Sequence, residues 1–443
     1  MSKKVNIFWF RRDLRLDDNA GLYHALKGKY PVVPIFIFDS NILDKLSDRS
    51  DARVHFIHDA LQALHLDIST YNSSLQVYAG RPEKVWKELL SNYDIETVYT
   101  NHDFESYAIE RDTKVKKLLE KQKVDMKTYK DHVLMEAGEV LKDDGLPYTV
   151  FTPYKRKWIA KVSEGKDDLT KSYYLKSYPT LKYATNFKVE LRPMMPSLKD
   201  IGFEPSDIPF PSQSVARKLI KDYGENRNFP AVDGTSKLGV HFRFGTVSIR
   251  EKARKAIKLS DVYLSELIWR DFYAQILSKF PHVEENAFRA KYEKVEWRNN
   301  EDEFAAWCAG KTGYPMVDAG MRELNNTGYM HNRVRMVVAS FLTKHLLIDW
   351  RWGEAYFAEK LLDFDLASNN GGWQWAAGCG TDAAPYFRIF NPTSQLTKFD
   401  KNLVYTKKWV PEYGTPEYPE PIVDHKMARE RCLTAYKTAL NNA

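Results

Sequence analysis

The 443-residue sequence predicts an α/β doubly wound parallel sheet at its N-terminal end, joined to an all-α domain. Three observations carry that expectation. Over the first 130 residues, short β-branched or aromatic runs alternate with longer helical patterns, the sequence form of repeated βαβ units. Beyond Ser214 the pattern is helical nearly throughout. Between them, from about Glu136 to Pro211, the period is lost and Pro, Lys, Ser and Tyr accumulate, as in a connecting segment with little regular structure. Residues 1–130, 131–211 and 212–443 are therefore read as an α/β domain, an interdomain connector and a helical domain.

Strands are expected near Val5–Phe10, Val32–Phe38, Leu75–Tyr78, Thr97–Thr100 and Val124–Tyr129. Helical stretches lie between them at Ala20–Leu26, Ala52–Ile68, Pro82–Tyr93 and Tyr107–Gln122. In Ala52–Ile68, Val54, Ile57, Leu61, Leu64 and Ile68 recur at intervals of three and four and so make one buried face. The turn after the first strand reads Phe10-Arg11-Arg12-Asp13 and carries no GxGxxG, so a standard dinucleotide site is not supported. Ligands can still bind at the strand C-termini. In the second half the helical stretches are Val215–Tyr223, Ile249–Ala256, Tyr263–Lys279, Glu301–Cys308, Pro315–Asn325, Asn332–Ile348 and Gly353–Leu361.

Composition excludes several classes. Hydrophobic residues are 43% and charged residues 28%, values of a globular chain rather than a disordered one. No apolar run approaches the roughly 20 residues that cross a bilayer, and no signal peptide is visible, so the expectation is a cytoplasmic protein without a membrane partner. Three widely spaced cysteines, Cys308, Cys379 and Cys432, argue against a disulfide framework and a zinc cluster. The net charge of +7 permits an anionic partner, and basic stretches at Lys155–Lys161 and Arg250–Lys258 could touch phosphates or be solvated faces.

Four constellations could carry chemistry. In Asp363-Phe-Asp365-Leu-Ala-Ser-Asn369-Asn370-Gly371-Gly372-Trp373-Gln374-Trp375, helical geometry would put Asp365, Asn369 and Trp373 on one face and point Trp375 elsewhere. Paired glycines there suggest close approach of something flat or of another helix; the alternative is a capped helix with two core indoles. In Gly328–Met336, Asn332 and Met336 share a face with Arg335 beside it, and Asp363 is a candidate carboxylate for that arginine. Glu266 and Trp269 lie three apart on a helix, a pair suited to a planar, partly polar ligand or to ordinary packing. Finally, Thr235, Ser236, Lys237 and Leu238, preceded by Tyr223 and Arg227, could hold a phosphate or form an N-cap.

Together these segments resemble the photolyase and cryptochrome family, most closely its class I cyclobutane pyrimidine dimer photolyases. The resemblance runs from Trp9-Phe10-Arg11-Arg12-Asp13-Leu14-Arg15 to Pro421-Ile422-Val423-Asp424-His425. Its signature includes Glu266-Leu267-Ile268-Trp269-Arg270, Lys311-Thr-Gly-Tyr-Pro315, His331-Asn332-Arg333 and Asn369 to Trp375. It implies an antenna-type α/β domain and a helical domain holding one FAD. Tyr223, Thr235, Ser236 and Leu238 then match the flavin-phosphate segment. Gly239 stands where many relatives have Ser, which leaves backbone amides or Lys237 to replace that contact. Arg335 and Asp363 match a pair beside the isoalloxazine, Asp365 a ribose and flavin contact, and Asn369 the residue facing flavin N5.

The same resemblance assigns Trp373, Trp350 and Trp297 to electron passage from the surface to photoexcited flavin. Glu266, Trp269, Asn332, Met336 and Trp375 match the pocket for a flipped-out dimer. The implied activity is blue-light-driven repair of UV-damaged DNA, in which excited FADH⁻ lends an electron to the dimer and recovers it. Asn369 favours repair over the alternative, a photoreceptor that signals through a protein partner. The amide at Asn332, where (6-4) enzymes show a second histidine, favours the cyclobutane substrate. An antenna is open among deazaflavin, FMN, folate or none. Folate is disfavoured because Tyr107-Ala108 replace an Asn-Glu pair. No metal is implied, and a monomer fits a cleft open to duplex DNA.

Overall fold

In a computed structural model, the structure describes residues 4–191 and 195–441. Residues 1–3, 192–194 and 442–443, at the ends of the expected domains and inside the connector, lie outside the described residues. The chain forms two compact units, one of residues 1–136, 160–213 and 238–258, the other of residues 137–159, 214–237 and 259–443.

The first unit is built on a five-stranded parallel sheet in the order β3-β2-β1-β4-β5. Its strands are β1 (Val5–Phe10), β2 (Val32–Asp39), β3 (Gln76–Gly80), β4 (Ile95–Asn101) and β5 (Asp125–Tyr129). Every residue of β1 and β2 is buried, as expected of strands covered on both faces. The connecting helices Ala20–Leu26, Ala52–Ser69, Pro82–Asn92 and Ser106–Glu120 fall within two residues of the expected stretches. Asn19 and Asp51 start the first two by accepting from Leu22 N and Arg53 N. Strand order reverses between β1 and β4, where such sheets leave a ligand crevice. Here Arg11 fills it: its guanidinium pairs with Asp112 and donates to the Asn101 carbonyl. Asn101 in turn donates to Asp13 at 2.5 Å and to Asn19 at 2.8 Å. The void left is about 10 Å³, so the anticipated strand-end site is closed at that point.

The segment expected to hold little regular structure contains a helix, Phe151–Ser163, followed by four short 3-10 turns. The helix start contains Pro153, which the first helical turn tolerates because an N–H would be unbonded there. The second unit is helical. Around its site stand Asp261–Lys279, Asn332–Ser340, Trp350–Lys360 and Leu366–Ala377. The single helix expected over Asn332–Ile348 instead ends at Ser340 and continues as a π-helical turn, Phe341–His345, where the Thr343 hydroxyl bonds back to the Ala339 carbonyl at 2.9 Å. The C-terminal helix His425–Asn441, which periodicity did not pick out, closes the core with Cys432 and Tyr436.

Candidate functional site

Four helix starts set the site. Ser260 caps Asp261–Lys279 by accepting from Tyr263 N at 3.3 Å, and His331 caps Asn332–Ser340 through Arg333 N at 3.2 Å. Asp349 caps Trp350–Lys360, accepting from Arg351 N at 3.0 Å. Asp365 accepts from Ser368 N at 3.1 Å and so stands at the cap of Leu366–Ala377.

These elements enclose a cavity of about 430 Å³ within the second unit. Glu266, Trp269, Asn332, Arg335, Met336, Asp363, Asp365, Asn369, Trp373 and Trp375 all line it. Trp375, expected to point away from Asn369, therefore faces the same space. The wall also includes Tyr273, Gly372 of the glycine pair, and Arg227, which the sequence set beside a phosphate segment. Of these, Arg227 had a sequence signal: Glu266 interrupts an apolar helical run and needs a cation. The two are ion-paired. Burial pushes the Glu266 carboxyl above its ordinary range, while Arg227 and Lys155 pull it back.

The anticipated Arg335–Asp363 pair is present, with Arg335 Nη2 donating to both carboxylate oxygens at 2.9 and 3.1 Å. Arg335 Nε is fixed on the Met330 carbonyl at 2.7 Å. Asn369 donates from Nδ2 to the Glu354 carbonyl at 3.1 Å. A carbonyl can only accept, so this bond orients the amide and leaves Oδ1 as an acceptor. Beside it, Asn370 Nδ2 bonds both the Val283 carbonyl, at 2.8 Å, and the Glu354 carboxyl, at 3.1 Å. Burial pushes Glu354 up to about 7.

The glycine pair has two uses. A Cβ on Gly371 would meet the Tyr273 ring at 2.3 Å, so this glycine admits the neighbouring helix. A Cβ on Gly372 would meet nothing within 4 Å, because the residue borders the cavity. Flat open backbone at Gly372, an acceptor amide at Asn369 and an arginine–carboxylate pair form a cradle that fits a flavin ring.

Of the expected residues, Tyr223, Thr235, Ser236, Lys237, Leu238, Trp297 and Trp350 do not line this cavity. Tyr223 packs edge-on against Tyr263, the Thr235 hydroxyl lies 3.0 Å from that of Tyr329, and Tyr263 donates to Ser236 at 3.1 Å. Lys237 pairs with Asp233 at 2.9 Å, and Leu238 is buried. Trp350 and Trp373 are buried in one core, and Trp297 packs against it. Trp373 fits only because residue 353 is glycine, whose Cβ would come within 2.1 Å of the indole. Its ring neighbours are Phe357 at 5.0 Å and Trp307 at 6.1 Å.

Family comparison agrees with both halves of this arrangement. The family description DNA photolyase matches residues 6–171, and FAD binding domain of DNA photolyase matches residues 263–415. The chain belongs to the DNA photolyase family. It is 37% identical to the deoxyribodipyrimidine photo-lyase of Halobacterium salinarum, over 98% of this chain and 99% of the relative. Among solved structures, a class III photolyase from Agrobacterium tumefaciens superposes with a TM-score of 0.85 at 32% identity, covering 99% of this chain and 98% of that one. A Synechocystis cryptochrome gives 0.84 at 25% identity, with 98% and 99% covered. The fold is thus the one shared by photolyases and cryptochromes, and the helical half of this photolyase is an FAD-binding domain.

Proposed function

We propose that this photolyase repairs cyclobutane pyrimidine dimers in DNA under blue light, using one FAD bound in its helical unit. The observation that carries the reading is that one cavity is lined both by residues suited to a flavin and by residues suited to two linked pyrimidines. The chemistry FAD supplies when bound is light-driven loan of one electron to the dimer. The chain's own residues do the rest. Arg335, held by Asp363, orients the flavin ring, and the Oδ1 of Asn369 accepts beside it without titrating. Asp365 contributes to the same wall, while Tyr223, Thr235, Ser236, Lys237 and Leu238 are assigned to the phosphate end.

Trp269 and Trp375 stack on the flipped-out dimer and exclude water, while Glu266, Asn332 and Met336 meet its edges. The raised Glu266 carboxyl suits a donor or acceptor at a base edge. Repair is preferred to photoreceptor signalling because these damage-facing groups occur together with Asn369. The test is chromatography of a thymine-dimer oligonucleotide incubated with chemically reduced protein in blue light and in darkness. Return of intact thymines only in the light is expected, and no return despite bound reduced FAD and bound substrate would favour the signalling reading.

Trp373, Trp350 and Trp297 are assigned to electron supply toward the flavin. Trp373→Phe is expected to slow photoreduction of oxidised enzyme and to leave repair by pre-reduced enzyme within about twofold, a ratio near unity on the activation scale. Time-resolved absorption and the repair assay read the two effects separately. Equal loss of both would reject the assignment.

Among the described residues no helix is long and apolar enough to cross a membrane, and none form a metal-binding cluster. Three free cysteines support assignment to the cytoplasm, and we propose action as a monomer. In the first unit a separate cavity of about 860 Å³ is bordered by Tyr107, Arg81, Lys84, Lys87 and Arg111. Tyr107 donates to Asp39 at 2.5 Å, and burial together with Asp39 pushes its hydroxyl up to about 12. With Tyr107-Ala108 in the place of an Asn-Glu pair, Ala108 supplies no carboxylate, so among the candidate antennas we disfavour folate against deazaflavin, FMN or an empty site.

A further inference from the structure

We infer that the Phe151–Ser163 helix positions the damage-recognition residues, with Phe151 holding the plane of Trp269. The inference rests on the proposed role of Trp269 in dimer binding and adds to it a residue outside the cavity wall.

Residues 151, 154, 155 and 158 follow the i, i+3, i+4, i+7 spacing of one helical face. Each meets the helix Asp261–Lys279, which carries Glu266 and Trp269. The Phe151 ring lies on the Trp269 indole with centroids 3.7 Å apart and planes within 7°. Tyr154 contacts Phe272 at 5.2 Å. Lys155 donates to the Ser265 hydroxyl at 2.6 Å, one residue from Glu266, and favours the charged form of that carboxyl. Trp158 donates from its indole N–H to Asp271 at 2.9 Å, entirely within the core.

The consequence for Trp269 is specific. An indole has two faces, and Phe151 covers one by near-parallel stacking. Tyr273 tilts against it at 5.3 Å and Phe272 meets it edge-on at 5.5 Å. These rings fix the indole plane while Trp269 still borders the cavity. A stacking partner held in one orientation loses little freedom when a base settles on it, which favours binding. The start of the helix is itself anchored: Phe151 N donates to Asp382 at 3.2 Å, and Thr381 donates from its hydroxyl to the Thr149 carbonyl at 2.6 Å.

The test compares Phe151→Met, which keeps apolar volume but has no ring face, with Phe151→Tyr, which keeps the ring. Dissociation constants in darkness are measured by fluorescence anisotropy for a thymine-dimer oligonucleotide and its undamaged copy, alongside FAD content from visible absorbance. Phe151→Met is expected to lower the preference for damaged DNA by about three- to tenfold, with affinity for undamaged DNA and FAD content unchanged. Phe151→Tyr should restore the preference. Retained preference in Phe151→Met, or equal loss in Phe151→Tyr, would overturn the inference. A wild-type protein with no preference for the dimer would instead remove the Trp269 reading, and the inference with it.

Discussion

Asp363→Asn is expected to lower the melting temperature by about 6 °C and to release FAD. Arg335 comes from the mostly apolar helix Asn332–Ser340, and Asp363 supplies the carboxylate that meets its Nη2. The asparagine keeps the shape and removes the charge, leaving a guanidinium that burial disfavours without its counterion. Removing one member of a buried pair costs about 3–5 kcal/mol. The low end applies here because the Arg335 side chain is 26% exposed toward the cavity. For a unit of this size, about 3 kcal/mol corresponds to the stated shift. A double variant, Arg335→Gln with Asp363→Asn, separates structure from function. It should recover most of the melting temperature because no charge is stranded, yet purify without the visible absorbance of bound flavin. If the double variant keeps its flavin, the pair is structural only.

The α/β half was readable because its central strands β1 and β2 are buried on both faces. Largely apolar runs such as Val5–Phe10 and Val32–Phe38 then mark them, and Asn19 and Asp51 cap the first two of the longer helices between. The Phe151–Ser163 helix was hidden by an opposite rule: Pro153 looks like a terminator unless the helix is known to begin two residues before it. The short helices Pro392–Phe399 and Val404–Trp409 have too few turns for a period to stand out.

The site was legible where chemistry forces a partner. A guanidinium in an apolar helix demands a carboxylate, and Asp363 was the available one. The demand of Glu266 was equally real, but its cation, Arg227, comes from another segment and spacing cannot reveal it. Asp365 borders the cavity with Asn369 and Trp373 as the spacing implies, and its added use as the helix cap follows from the free N–H groups of a helix start. Neither Glu354 nor the stacking of Phe151 leaves a mark in the sequence, since both depend on which helices meet.

Glu354→Gln is expected to remove the part of the pH dependence of stability that this buried carboxyl contributes. Burial raises the carboxyl from its ordinary range to about 7; Asn370 and Arg351 oppose the shift, whereas Glu284 adds to it. Arg351 offers limited relief because its guanidinium is already committed to Glu293, at 2.7 Å, and to Asp349, at 3.1 Å. With the folded value above the unfolded one, the native state binds the extra proton between about pH 4.5 and 7, so this group's stabilising contribution is full below that window and lost as pH rises through it. The expected loss is about 2 kcal/mol, reduced for partial solvent access, or about 4 °C for a unit of this size. Glutamine keeps an acceptor for Asn370 Nδ2 and has no proton to lose. The variant should therefore melt with wild type at pH 5 and above it at pH 8, as differential scanning fluorimetry across that range can measure. Parallel pH profiles would mean that Glu354 stays ionised in the folded protein. The same contrast reaches the cavity, because the Glu354 backbone carbonyl orients Asn369 while its side chain holds Asn370. Asn370 Nδ2 is a donor and favours the charged carboxyl, so ionisation acts on stability through the buried charge and not by breaking the bond to the helix that carries both amides.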